Sequence, residues 1–453
     1  MLDEAEVIST VRDLWARHRD ELPAHDRVYG YVRGKLGVPD VPDGAGDELQ
    51  DIAKMSVKNV LGLVRNAFTD PLLVVGFRSP DATENDAEVW RLWQQQKLDA
   101  RQAEVYRAAV TYGTGYAIVS KSGIRFRSPR QVFAVYADAH VDDFPVYALE
   151  TWVDRSGPKP MRKGRLFDET HVYPVSLGTI SKQQDEAEQT RTAQRRMSLT
   201  IDEEPEAHGL DHCPVIRFVN TRDCEDLVEG EIEPLIGDQR AINAVNFDRL
   251  VVSRYGAFPQ KYVIGWAPSG PAELAKASAQ TLMAFEDSKE TVAVGAFPQA
   301  SVDGYNSILL EMTVHAAMKA GVAPFGITGS FANLGADAIA QIAKPYQDKL
   351  GAKQSSLGES VELMIRDYAF LHDIEVPEDA EVVWAETEAR SFAQVVDGIV
   401  KLTTADVPIE AMLEDIPGWS QQRVDTARKA VRRAAGGGVL DRLRAASGDR
   451  PAV

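Results

Sequence analysis

The sequence predicts an α+β chain of more than one structural unit, on three observations. Its 453 residues are 44% hydrophobic, enough to bury large cores, and ordinary domain sizes divide that length into about two to four units. Two long stretches, 231–255 and 339–368, repeat apolar residues at helical spacing. Four short segments between 116 and 177 are rich in Val, Tyr, Ile and Phe and bounded by turn residues, as strands are.

Taken in order, 3–22 and 47–68 carry the helical period, the second through Ile52, Met55, Asn59, Leu63 and Ala67, with a Gly/Pro/Asp segment at 37–46 between them. A further helix runs from Ala87 through Trp90, Leu92, Trp93 and Leu98 to Val110 and ends near the Gly113-Thr-Gly115 turn. Strands are expected at 116–120, 131–137, 145–153, 171–177 and 214–219. The polar stretch 181–209 holds too few large apolar side chains to order itself strongly and reads as a loop or extended hairpin.

The helix from Glu231 to about Tyr255 places Ile232, Leu235, Ile236, Ile242, Val245 and Leu250 on its apolar side and would be about 37 Å long. Residues 257–304 read as a compact insert: a strand at 261–266, a short helix at 272–285 and a strand at 291–296. A helix from Tyr305 to Ala320 sets Glu311, His315 and Lys319 on one polar stripe. Residues 321–335 follow no period and form a loop, which opens into a helix whose apolar positions run from Ile339 to Tyr368. Pro345 inside it cannot donate to the Gln341 carbonyl and should bend it. A strand at 381–384 and helices at 391–402, 408–414 and 419–435 close the chain.

The net charge of -18 argues against a protein that clings to nucleic acid, because affinity for phosphate comes chiefly from Lys and Arg. Nucleic acid is either irrelevant here or must slide past without sticking. The charged N-terminus lacks the profile of a signal peptide, and there is no run of about 20 apolar residues. A cytoplasm-like compartment and no membrane are expected. Cys213 and Cys224 are too few for a disulfide framework and read as reduced thiols.

Motifs for chemistry are missing. His208 and His212 have zinc-like HxxxH spacing, but Gly209 and Pro214 make the segment a turn, so no metal is expected. Gly113-Thr-Gly115 leads into a strand, whereas a phosphate cradle needs a helix N-terminus. Neither GxxxxGK[ST] nor GxSxG occurs. The many carboxylates read as solvated charge on helix faces, and Arg428, Lys429, Arg432 and Arg433 as a solvated or inter-subunit face. No catalytic group and no cofactor is nominated.

The order of segments nevertheless resembles the phage portal proteins typified by that of siphophage SPP1. The resemblance is carried by His208-Gly-Leu-Asp-His-Cys-Pro-Val-Ile-Arg-Phe-Val-Asn220, by Gly230-Glu-Ile-Glu and Asp238-Gln-Arg-Ala-Ile-Asn243, and by Phe258-Pro-Gln-Lys-Tyr-Val-Ile-Gly265. The Trp93–Leu98 helix followed by Tyr112-Gly-Thr-Gly-Tyr-Ala-Ile-Val119 adds to it.

The resemblance implies a portal fold: an outer wing at 1–230, stem helices at 231–256 and 305–320, a clip at 257–304, a tunnel loop at 321–335, a kinked helix returning to the wing at 336–384, and a crown with the C-terminal tail at 385–453. It implies a ring, twelve-fold by the resemblance, at the capsid's portal vertex, assembled in the host bacterial cytoplasm. Double-stranded DNA would pass through it during packaging and ejection. Its partners would be the large terminase, which supplies the force, a head-tail adaptor, and the major capsid and scaffolding proteins. The tunnel loop would touch DNA through Phe325, Ile327, Thr328, Ser330, Phe331 and Asn333, and Glu311, His315 and Lys319 would face the channel. For Phe325 and Phe331 the alternative is a core anchor beneath the kinked helix. The competing functions are an intracellular hydrolase using scattered carboxylates with His171, His208 or His212, and a generic capsid or adaptor scaffold.

Overall fold

The computed structural model describes residues 1–79, 82, 85–180, 199–225, 228–256, 261–264, 282–285, 293–296, 301–323, 336–387 and scattered positions between 401 and 433. The chain divides into two units: Met1–Pro23, Phe68–Gly230 and Gln347–Val453 make the first, and Ala24–Ala67 with Glu231–Tyr346 the second.

The first unit is built on a six-stranded antiparallel sheet. β4 (Val132–Val135), β5 (Tyr147–Asp154), β6 (Met161–Phe167) and β7 (His171–Thr179) follow in order, and two short strands, β8 (Thr200–Ile201) and β9 (Glu206–Ala207), pair with β7. Alternation along each strand sends one set of residues to each face. Leu149, Leu166, Tyr173, Val175 and Leu177 meet Val7, Val11, Leu14 and Trp15 of α1 (Glu4–Val32). Ala148, Phe167 and Val132 face the other way, against Tyr116, Ile118, Cys213 and Val215. Those belong to a three-stranded sheet in which β2 (Thr114–Ser120) lies between β3 (Gly123–Arg127) and β10 (Val215–Val219), with Cys213 just ahead of β10. A separate pair joins β1 (Val74–Arg78) to β14 (Glu381–Trp384).

Local signals missed several boundaries. The predicted helix 87–110 is two helices, α4 (Ala87–Gln95) and α5 (Leu98–Tyr112), because Lys97 adopts φ 55° between them. Asp99 holds that elbow by accepting from Trp93 Nε1 at 2.7 Å and Gln94 Nε2 at 2.6 Å. Strands β1, β3 and β6 were not expected; Arg125 and Arg127 in β3 and Arg162, Lys163 and Arg165 in β6 obscure their apolar face. α1 continues beyond residue 22, through Pro23, and its later turns bury Val28 and Val32, which offsets the hydrogen bond that proline forfeits.

Gly113 caps α5 at φ 89°, a region that disfavours side chains, and its backbone passes Glu229 and Gly230 closely. A Cβ on Gly230 would fall 2.7 Å from the Thr111 carbonyl. Asn220, at the end of the segment that carried the resemblance, ties this crossing together: its N–H donates to Gly113 O at 2.9 Å and its Nδ2 to Glu229 O at 2.8 Å. Buried Lys353 of α8 (Ala336–Phe370) donates to its Oδ1 at 2.5 Å.

The second unit holds α2 (Asp47–Met55), most of α3 (Val60–Thr69), α6 (Ile236–Gly256) and α7 (Asp303–Ala320). A single 3₁₀ turn at Glu233–Leu235 precedes α6. Among the described residues three strands lie between α6 and α7: β11 (Lys261–Ile264) pairs in parallel with β12 (Leu282–Phe285) and antiparallel with β13 (Ala293–Ala296). Residues 282–285 are therefore strand where helix was expected; an apolar run of four is too short for its period to tell the two apart. The closing helices at 391–402 and 408–414 fall mainly outside the described residues, and helix is seen over 426–433.

Candidate functional site

α6 and α7 pack antiparallel. Lys319 Nζ, at the end of α7, lies 2.9 Å from Asp238 Oδ2 and 2.9 Å from Pro234 O at the start of α6. At the other end Arg249 Nη1 donates to Asn306 Oδ1 at 3.0 Å. Leu309, Ala316, Ala317 and Ala320 form the buried face of α7; the three alanines allow the backbones to approach closely.

The buried face of α6 is less apolar than expected. Ile232, Leu235, Ile236 and Ile242 are buried, Val245 and Leu250 only half so, and Gln239, Asn243 and Asn246 are buried among them. These amides serve the segment that breaks 47–68 into two helices. Gln239 Oε1 accepts from Val60 N at 3.0 Å and Leu61 N at 3.3 Å, supplying the first turn of α3 with the acceptors it lacks, while its Nε2 donates to the Lys58 carbonyl. Asn243 accepts from Lys58 N at 3.0 Å and donates to Gly37 O at 2.8 Å; Asn246 donates to Ser56 O at 2.6 Å. Burial, and then the nearby Arg249, hold the Lys58 ammonium below its ordinary value. The sequence offered one signal for this ladder, the spacing of Gln239, Asn243 and Asn246 on the apolar side of a helix, and it was passed over.

Of the stripe singled out on α7, Glu311 and His315 are exposed, and Lys319 is the partner of Asp238. Gly321 caps α7 at φ 76°, and Val322 and Ala323 are buried. Phe325, Ile327, Thr328, Ser330, Phe331 and Asn333 lie outside the described residues. α8 runs from Ala336 to Phe370 without ending at Pro345.

The histidines of the hydrolase alternative are tied into turns. Asp168 accepts from the backbone N–H of Thr170 at 2.8 Å and of His171 at 2.6 Å, and from Tyr173 Oη at 2.7 Å. Burial opposes the Asp168 charge, but these donors outweigh it and hold the carboxyl below its usual value; Tyr173 is pushed up to about 12, by burial first and then by Asp168. His208 Nε2 sits 3.3 Å from Asp168 O, and its burial favours the neutral ring. His212 stacks on Phe144 with ring centroids 3.6 Å apart and lies 3.2 Å from Asp367 Oδ1. Burial pushes the Cys213 thiol far up, away from a reactive thiolate. Among the described residues no cluster of His, Cys, Asp and Glu could hold a metal ion, and no helix is long and apolar enough to cross a membrane.

One carboxylate that lies on a strand, outside the helix faces, is buried: Glu150. Its side chain is 1% exposed, on β5, and faces three guanidiniums: Arg127 Nε at 2.7 Å, Arg165 Nη1 at 3.1 Å and Arg125 Nη2 at 3.7 Å.

The family model of the phage portal proteins, SPP1 Gp6-like, matches residues 15–435. The chain belongs to this family. This portal protein is also similar to the portal protein of Mycobacterium phage D29, with 22% identity over 346 residues, 73% of this chain and 69% of that one. The family is structural rather than enzymatic, and a phage portal protein belongs to an oligomeric ring at a vertex of the virion capsid. The resemblance read from 208–220 and 230–243 thus identified the family, and the hydrolase and generic scaffold readings are not favoured.

Proposed function

We propose that this portal protein is the subunit of a twelve-fold ring whose channel conducts double-stranded DNA into the capsid during packaging and out during ejection, and which joins head to tail. The observation that carries the finer reading is the antiparallel pair α6 and α7, which brackets the three-stranded insert at 257–304. In this reading the pair is the stem and the insert the clip. Residues 1–230 are the wing, 336–384 the kinked helix and its return to the wing, and 385–453 the crown.

Residues 321–335 contain no Lys or Arg, so contacts from Phe325, Ile327, Thr328, Ser330, Phe331 and Asn333 to DNA would lack the counterion release that makes binding tight. Glu311 and His315, exposed on α7, would face the channel together with Lys319, and Pro345 would bend the helix behind the loop. A chain of net charge -18, repeated around a ring, resists adsorption of phosphate and favours sliding. Force would come from the large terminase, and a head-tail adaptor and the capsid and scaffolding proteins would complete the vertex. No ATPase, nuclease or peptidase activity and no cofactor is expected of the chain itself. Negative-stain microscopy of the purified protein tests this: twelve-fold rings with a central channel are expected, and a monodisperse monomer or small oligomer would overturn it.

A further inference from the structure

Among the described residues, the site around Glu150 carries more positive charge than the carboxylates beside it balance. One carboxylate faces three guanidiniums, and a guanidinium stays charged at any ordinary pH. Arg127 is well used, donating through Nε to Glu150 and through Nη1 to Phe126 O at 3.0 Å. Arg165 donates to Glu150 and stacks on the Trp152 ring with 4.7 Å to the centroid. Among the described residues Arg125 has only the longer approach to Glu150, and its buried Nε meets no hydrogen-bond partner. Burial lowers its pKa first; Glu150 opposes that, and the neighbouring Arg165 and Arg127 add to it.

Geometry makes the surplus reachable. Glu150 is sealed beneath, whereas the side chains of Arg125, Arg127 and Arg165 are 29%, 29% and 35% exposed. β3 supplies two of them and β6 the third, so all three are held on strands rather than on a loop. The cavity that Arg165 lines has Asp202, Glu203 and Glu206 among its walls.

We propose that Arg125, with Arg127 and Arg165, receives an Asp or Glu side chain from a second copy of this chain, so that the site is completed only on self-association. The inference rests on the oligomeric nature of the family and on the acidity of the chain, whose 68 Asp and Glu against 50 Lys and Arg make a carboxylate the ion its copies most readily present. The contact orients neighbouring copies, because a guanidinium fork accepts a carboxylate in a narrow range of directions.

The test is self-association of the full chain followed by mass photometry across a salt series. Arg125→Gln should weaken association by about tenfold or more and Arg125→Lys should recover part of it, each variant first being checked for a wild-type unfolding temperature. An experiment without substitution stands beside it: at equal ionic strength, sodium acetate should dissociate the wild-type oligomer more than sodium chloride does. Equal dissociation by the two salts, or an Arg125→Gln oligomer as tight as wild type, would overturn the proposal while leaving the portal assignment intact. Loss of DNA affinity in Arg125→Gln with unchanged assembly would overturn it in favour of a phosphate site. A wild-type chain that stays monomeric at every salt would overturn the ring reading as well.

Discussion

Asn243 Oδ1 accepts a hydrogen bond from Gln239 Nε2 at 2.7 Å, one helical turn apart on the buried face of α6. The two amides act as one device, orienting each other so that Gln239 reaches Val60, Leu61 and Lys58 while Asn243 reaches Lys58 and Gly37. Buried donors and acceptors that lose their partners cost about 1–3 kcal/mol each. Gln239→Leu is similar in volume but would strand the N–H groups that open α3. It should lower stability by about 2–4 kcal/mol, read as an earlier midpoint in urea denaturation followed by circular dichroism. A midpoint unchanged from wild type would show that water takes over these groups at no cost.

His212 provides the pH dependence. Burial disfavours its charged form, yet the contact with Asp367 outweighs that and raises the pKa above the ordinary 6.5. Asp367 of α8 faces it, as does Asp211 of its own turn, and His208 interacts with it electrostatically. Because the folded state holds this proton more tightly than the unfolded one, the stability that His212 contributes is present below 6.5 and is lost as pH rises through the folded value; the Asp367 carboxyl, itself raised by burial, bounds the ionic contact on the acid side. The melting temperature of His212→Gln should therefore fall furthest below wild type near pH 6 and approach it in mildly alkaline buffer. A difference that stays constant from pH 5 to 9 on the order of these ordinary titration ranges would remove the ionic part of the account.

Deletion of 326–333 separates conduction from assembly. If 321–335 is the tunnel loop, the deleted protein should still form rings under the microscope, while packaging of DNA into heads should be abolished in a complementation assay. Loss of the ring itself would make the segment a core element, as in the alternative in which Phe325 and Phe331 anchor the kinked helix. Normal packaging would remove it from the channel.

How much of this was legible beforehand depended on range. The periods at 231–255, 305–320 and 339–368 predicted α6, α7 and α8 because a helix repeats its environment every few residues, so a single window contains the signal. Strand β14 and the strand before Asn220 were legible for the same reason. The order of segments from His208 to Gly265 pointed to the family, which the comparison over 15–435 bears out.

What the sequence by itself determined is the three long helices α6, α7 and α8 and the family. The tertiary structure alone decided where polar groups go. Glu150 reads as one more surface carboxylate until β5 and β6 align it with Arg165 and the neighbouring sheet brings Arg125 and Arg127 against it. The break between α2 and α3 is set from α6, roughly 180 residues away in sequence. A buried charge or backbone amide takes its partner from whatever the fold delivers, and that choice has no period for a local window to detect.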